Sequence, residues 1–144
     1  MKIDTTFGTK TRWMIVDDDA SVLILLSALV AQLMNADIDC FSSPREAVTA
    51  FAEAPDKFQF VITDLEMPGL DGIQLCRQLR AMSPGLKVLL TTGSHLLTNA
   101  EAVQNGFCGL LPKPFRPTAI KNALLTAGLD IVRRGEFSRV LTPA

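Results

Sequence analysis

The sequence predicts an α/β fold, a doubly wound (βα)5 domain with a five-stranded parallel sheet. Three observations carry this. Five short apolar runs alternate with segments that open on helix-start signals. The runs are continuous rather than alternating, as strands covered on both faces require. Acidic, hydroxyl and ammonium groups follow four of the runs, at the strand carboxyl ends where open α/β sheets bind ligands.

The elements follow in order. Trp13-Met14-Ile15-Val16 is the first strand and ends in Asp17-Asp18-Asp19. Asp19 or Ser21 caps a helix reaching about Met34. Ile38 to Phe41 is a short second strand. Ser43-Pro44-Arg45-Glu46 combines a cap, a proline suited to the first helical position and a capping-box glutamate. That helix ends near Glu53, before Pro55 and Asp56. Phe58 to Thr63 is the third strand. Asp71-Gly72-Ile73-Gln74 opens the third helix, with Leu75, Leu79 and Met82 on one face, and Pro84-Gly85 is a turn. Val88 to Thr91 is the fourth strand. Thr98-Asn99-Ala100-Glu101 is a capping box, so the fourth helix starts late and stops at Gly106. Cys108 to Leu111 is the fifth strand, and Pro117 starts a last helix reaching about Ala127. The domain is expected over 12–127, after an extension over 1–11 and before a tail over 128–144. That tail carries Arg133, Arg134 and Arg139 and reads as a solvated helix extension or the start of a linker.

Composition bounds the function. At 144 residues one domain with a full core is expected. A net charge of −1 gives no chain-wide attraction to nucleic acid or anionic membrane. The longest apolar stretch, Val22 to Ala31, is too short to span a bilayer, which needs about 20 residues. Residues 1–12 have no signal-peptide pattern, so a cytoplasmic protein is expected. Cys40, Cys76 and Cys108 lack metal-ligand spacing and read as free thiols. His95 is the sole histidine and reads as a loop residue.

The chemistry concentrates in a few residues. If the first and third strands are neighbours, Asp17, Asp18 and Asp64 converge. At about 5 Å and an effective dielectric near 20, each like-charged pair costs about 3 kcal/mol. A divalent cation removes that cost, and Mg²⁺ typically uses one or two carboxylates plus phosphate oxygens. Without a metal, a carboxyl pKa rises instead. The competing reading is that Asp17 to Asp19 merely cap a helix. Lys113, between two prolines, is placed to pair with Asp64 and later with a phosphoryl oxygen, or is a surface lysine in a turn. The Lys113-Pro114 bond is a candidate for cis. Thr92 and Thr91 compete as hydroxyl donors, because strand alternation puts them on opposite faces. Gly69 and Gly72 keep the loop after Asp64 compact, and Gly93 leaves the pocket mouth open. The pattern suggests a Mg²⁺-assisted, phosphoryl-accepting pocket.

These motifs, Val16-Asp17-Asp18-Asp19, Thr63-Asp64-Leu65-Glu66-Met67-Pro68-Gly69, Thr91-Thr92-Gly93-Ser94 and Pro112-Lys113-Pro114-Phe115, resemble the receiver domain of two-component response regulators over about residues 12–127. The resemblance implies a flavodoxin-like sheet. It implies Asp64 as phosphoacceptor, served by a histidine kinase or a histidine phosphotransfer protein. Asp18 would bind Mg²⁺ directly, Asp17 largely through water, and the Glu66 backbone carbonyl would be a further ligand beside Asp64. Thr92 would be the switch hydroxyl and Lys113 the phosphate-binding lysine. Phosphorylation would shift the population of the surface formed by the fourth helix, fifth strand and fifth helix. A homodimer is one option the resemblance leaves open.

The chain departs from the family pattern at Leu110, where an aromatic switch residue is common. Phe107 is a poor substitute by register. Glu66 and Ser94 occupy positions that tune phosphoryl lifetime in the family. The first helix, with Val22 to Leu26, Leu29 and Val30, is apolar nearly all round; this implies deep packing or a docking face for a kinase helical bundle. Two other functions compete. Asp17-x-Asp19-x-Ser21 resembles the nucleophile motif of haloacid-dehalogenase-type phosphatases, but it leaves Asp64 without a role. A pseudo-receiver used only for binding usually lacks an acid, the Thr or the Lys, and none is missing here. The chain reads as a stand-alone receiver or as a piece of a larger regulator.

Overall fold

Neighbouring residues of the first strand face opposite ways and meet two different hydrophobic clusters. Met14 and Val16 join Ala47, Phe51, Val61, Leu75, Leu79, Val88 and Leu90 on one side. Trp13 and Ile15 join Leu23, Leu26, Val30, Ile62, Leu89, Ile120 and Leu124 on the other. The sheet is therefore the middle layer of three, and continuous apolar strands are the direct consequence.

The computed structural model describes residues 10–129. Its elements are β1 (Thr11–Val16), α1 (Ala20–Leu33), β2 (Ala36–Phe41), α2 (Pro44–Glu53), β3 (Phe60–Asp64), α3 (Gly72–Met82), β4 (Lys87–Thr92), α4 (Asn99–Gln104), β5 (Gly109–Pro112) and α5 (Pro117–Thr126). A short 3₁₀ turn, Pro55–Lys57, follows α2. The strands are parallel in the order β2-β1-β3-β4-β5. The chain leaves β1 towards one edge, returns, and builds the rest of the sheet on the other side. The reversal falls between β1 and β3, and their carboxyl ends flank the crevice it creates. The expected tail from residue 130 on, with its three arginines, lies outside the described residues, as does most of the amino-terminal extension.

The helix starts obey the sequence. The Asp19 carboxylate accepts from Ser21 N–H, which decides the cap of α1 in favour of Asp19. The Ser43 hydroxyl accepts from Glu46 N–H at α2. Asp71 with Gln74, and Thr98 with Glu101, form reciprocal capping boxes at α3 and α4.

Several boundaries differ from the expected ones. β2 begins at Ala36, because Asp37 and Asp39 pair with Arg12 across the β1–β2 edge and need no loop. β3 starts at Phe60 rather than Phe58, after the 3₁₀ turn has used Pro55 to Lys57. α4 ends at Gln104, two residues before Gly106. The first helix is not buried all round. Leu23, Leu26 and Val30 form its buried stripe, while Ile24 is 70% exposed and Leu25 46% exposed. Among the described residues no helix is long and apolar enough to cross a membrane.

Candidate functional site

Asp17 follows β1, Asp64 ends β3, and the β1–β3 pairing sets them side by side beyond the Val16–Thr63 register. Carboxylate oxygens of Asp17, Asp18 and Asp64 all lie within 4.8 Å of one another. Asp17 and Asp64 are buried, and Asp18 is exposed at the rim. Lys113, one residue past β5, reaches across the pocket. Its Nζ donates to Asp17 Oδ2 at 3.0 Å and lies 3.2 Å from Asp64 Oδ1. The Lys113–Pro114 peptide is cis, and Lys113 N–H donates to the Thr92 carbonyl at 2.8 Å, which ties the lysine's backbone to β4.

The other oxygen of Asp17 accepts from Asp19 N–H at 2.9 Å. Both oxygens of Asp17 therefore already hold protein donors. Asp19 is spent differently: one of its oxygens accepts from the Ser21 hydroxyl at 2.6 Å and from Ser21 N–H at 2.9 Å. Those bonds, hydroxyl first, hold its pKa below the usual carboxylate range. Asp19 caps α1 and is not among the converging carboxylates.

Three carboxylates against one ammonium leave the pocket electrostatically unbalanced. Burial, then the charge of Asp17, pushes the Asp64 carboxyl above its ordinary range, and Lys113 only partly opposes this. Burial pulls the Lys113 ammonium down, but its hydrogen bond to Asp17 and the charges of Asp17 and Asp64 outweigh that and raise it. Hard, anionic oxygens clustered at this spacing fit a hard divalent cation.

The structure separates the two candidate hydroxyls. Thr91 is fully buried and its Oγ1 donates to the Thr63 carbonyl at 3.4 Å. Thr92 Oγ1 accepts from Ser94 N–H at 3.0 Å, so Thr92 keeps its own proton to donate. Glu66 lies exposed on the loop after Asp64. That loop turns at Gly69, whose φ of +84° favours glycine. At Gly72 a Cβ would stand 2.4 Å from the Asp64 carbonyl oxygen, so only glycine lets α3 begin against the end of β3.

Leu110 is half-buried against the core, and Phe107 is 3% exposed inside it. Neither presents an aromatic ring at the surface near β4. A cavity of about 330 Å³ opens between α4, β5 and α5, lined by Asn99, Leu110, Pro112 and Ala123 among others. Sequence reasoning missed Asn99, whose Oδ1 accepts from Leu110 N–H at 3.1 Å and braces α4 on β5. An asparagine in the first turn of a helix carried no signal for a contact eleven residues away.

Fold and pocket together define a class: a doubly wound α/β domain with an acidic, cation-competent pocket at the strand-order reversal, closed on one side by a lysine. Residues 13–125 match the response regulator receiver domain model, and the chain belongs to that family. It is a receiver domain of two-component signalling. It is 32% identical over 123 residues to the two-component response regulator ARR14 of Arabidopsis thaliana, covering 85% of this chain and 32% of that protein. It is 36% identical over 105 residues to the DNA-binding transcriptional regulator NtrC of Klebsiella pneumoniae, covering 70% and 21% respectively. The chain thus spans at most a third of the length of these curated relatives. Among solved structures, a response regulator receiver domain protein from Clostridium thermocellum superposes with a TM-score of 0.72 at 25% identity, covering 81% of this chain and 93% of that one. The chemotaxis protein CheY4 of Vibrio cholerae shares the fold at a TM-score of 0.71 and 23% identity, with 83% and 99% covered.

Proposed function

We propose that this receiver domain takes a phosphoryl group onto Asp64 from the phosphohistidine of a histidine kinase or histidine phosphotransfer protein. The observation that supports it is the convergence of Asp17, Asp18 and Asp64 under the Lys113 ammonium. A carboxylate oxygen of Asp64 attacks phosphorus. A P–O bond forms, the P–N bond breaks, and the phosphohistidine ring, already protonated on its other nitrogen, leaves as neutral imidazole carrying the P–N electron pair. Water later cleaves the acyl phosphate and restores the carboxylate.

Such a transfer is mostly positioning and charge neutralisation. Asp17 orients Lys113 through the 3.0 Å bond, and Lys113 then follows the transferred oxygens. Thr92 donates its hydroxyl proton to one of them. Asp18 and Asp64, with the Glu66 backbone carbonyl, are the residues that would hold Mg²⁺, with Asp17 beside them. Bound Mg²⁺ supplies further neutralisation of the charge on the phosphoryl oxygens. The α4-β5-α5 surface, with its cavity, is the one a downstream partner reads. The phosphatase alternative loses support, because its acid, Asp19, is committed to the Ser21 cap.

The test is incubation with a small phosphodonor and Mg²⁺, followed by intact-mass measurement. The wild type gains one phosphoryl mass and Asp64→Asn gains none; gain in both, or in neither, refutes the assignment. The exposed Ile24 and Leu25 on α1 form the face on which the donor protein docks. Ile24→Glu is expected to slow transfer from a phosphohistidine protein about tenfold, the effect of losing about 1.4 kcal/mol at an interface. It leaves transfer from the small donor unchanged. Equal slowing with both donors refutes the docking role.

A further inference from the structure

The loop between β4 and α4 contains two linked hydroxyl turns. Thr92 Oγ1 accepts from Ser94 N–H at 3.0 Å, and Ser94 Oγ accepts from Leu96 N–H at 3.1 Å. The chain of bonds runs from the buried end of β4 to Leu96, which is 90% exposed. Its flanks are fixed. Thr92 is 1% exposed, and Lys113 N–H holds its carbonyl. On the far side Leu97 packs against the core, the Thr98–Glu101 capping box closes the start of α4, and Asn99 braces that start on β5. Residues 93–96 are therefore the part of this segment with freedom to respond. Leu110 stands at the strand position considered for an aromatic carrier, and Phe107 is in the core.

We infer that the hydroxyl of Ser94 transmits the state of the pocket to Leu96. This rests on the phosphoacceptor reading above. A hydroxyl donates one proton and accepts through two lone pairs. Thr92 donates to a phosphoryl oxygen without releasing Ser94 N–H. Once Thr92 is fixed from the pocket side, Ser94 N–H is fixed with it. Ser94 Oγ then holds Leu96 N–H more firmly, and the exposed leucine occupies one position rather than several. A partner with an apolar recess meets an ordered leucine in the loaded state and a loose one otherwise.

Amide hydrogen exchange, with beryllofluoride and Mg²⁺ as the phosphoryl stand-in, tests this. In the wild type, exchange at residues 94 and 96 slows by about fivefold, the factor one net hydrogen bond supplies. In Ser94→Ala, residue 94 still slows, because its backbone N–H still reaches Thr92, but Leu96 no longer responds. Ser94→Thr restores the response at Leu96. Slowing at Leu96 in Ser94→Ala, or slowing at residue 94 without Leu96 in the wild type, overturns the relay. If neither residue responds and the Asp64 and Thr92 amides are also unaffected, the phosphoacceptor reading fails first. A response at Asp64 and Thr92 alone condemns the relay and spares that reading.

Discussion

At the amino end of the sheet, Arg12 lies 2.8 Å from Asp39 and 3.6 Å from Asp37, and Lys10 and Lys57 flank the same two acids at 3.3 and 3.8 Å. At the carboxyl end, Asp17, Asp18 and Asp64 converge, and one ammonium, that of Lys113, serves Asp17 and Asp64. In the first cluster each acid has more than one cation beside it, and all the groups are at least partly exposed. The second is overcharged and, for Asp17 and Asp64, buried. Exposed, compensated pairs contribute at most about 1 kcal/mol, so the first cluster trims an edge of the fold. Buried, uncompensated charge lowers stability and persists where chemistry uses it. The same residue types thus trim an edge at one end and build the candidate site at the other, and the difference lies in balance and burial.

The sharpest way to break this contrast is Lys113→Met. Removing one partner of a buried pair costs about 3–5 kcal/mol when the remaining charge stays fully buried. Here about 2 kcal/mol is expected in metal-free urea unfolding, because the lysine side chain is 24% exposed and Asp64 can take up a proton. Phosphoryl capture, followed by intact mass, is lost in the same variant. A loss below about 0.5 kcal/mol would place the pocket in the same class as the amino-end network.

A smaller effect follows from Asp64. Its folded carboxyl titrates above the ordinary 3.8, because of burial first and Asp17 second. The unfolded chain gives up this proton at lower pH than the folded one. Above about pH 4 the unfolded state therefore binds fewer protons, and Asp64 lowers stability as pH rises, until the folded carboxyl has also ionised. In metal-free thermal unfolding, Asp64→Asn is expected to gain on the wild type through that window and to level off beyond it. Mg²⁺ at ten times its Kd returns about 1.4 kcal/mol to the wild type and little to the variant. A constant difference across pH contradicts the buried-charge account.

The smallest effect belongs to the amino end. Arg12→Ala is expected to cost about 0.5–1 kcal/mol, less at high salt, with phosphoryl capture and Mg²⁺ stabilisation unchanged. Urea midpoints at low and high salt check it. A Mg²⁺-dependent loss would show that the two ends are coupled.

The contrast also shows what the sequence could and could not convey. Asp17, Asp18, Asp64 and Lys113 were legible because each follows a continuous apolar run, and parallel sheets gather such positions at one end. The amino-end network was not, because Arg12, Asp37 and Asp39 sit on strand β1 and the edge strand β2, and Lys57 in the 3₁₀ turn before β3, where polar residues look like loop. The same blindness trimmed β2 to Ile38. The motif resemblance already points to Thr92 over Thr91, and the third dimension supplies the physical reason, since the Thr91 hydroxyl is spent on the Thr63 carbonyl. The exposure of Ile24 and Leu25 was hidden for the opposite reason. A helix apolar on every side does not say which stripe meets the sheet.

The tight seat of Gly72 has one more consequence. With no room for even a methyl group between it and the Asp64 carbonyl oxygen, and with Gly72 N–H donating to Leu65 at 2.8 Å, the main chain behind the acceptor is a wall. Main-chain adjustment at Asp64 towards α3 is therefore blocked, so the phosphoryl transfer proposed above would be accommodated on the pocket side.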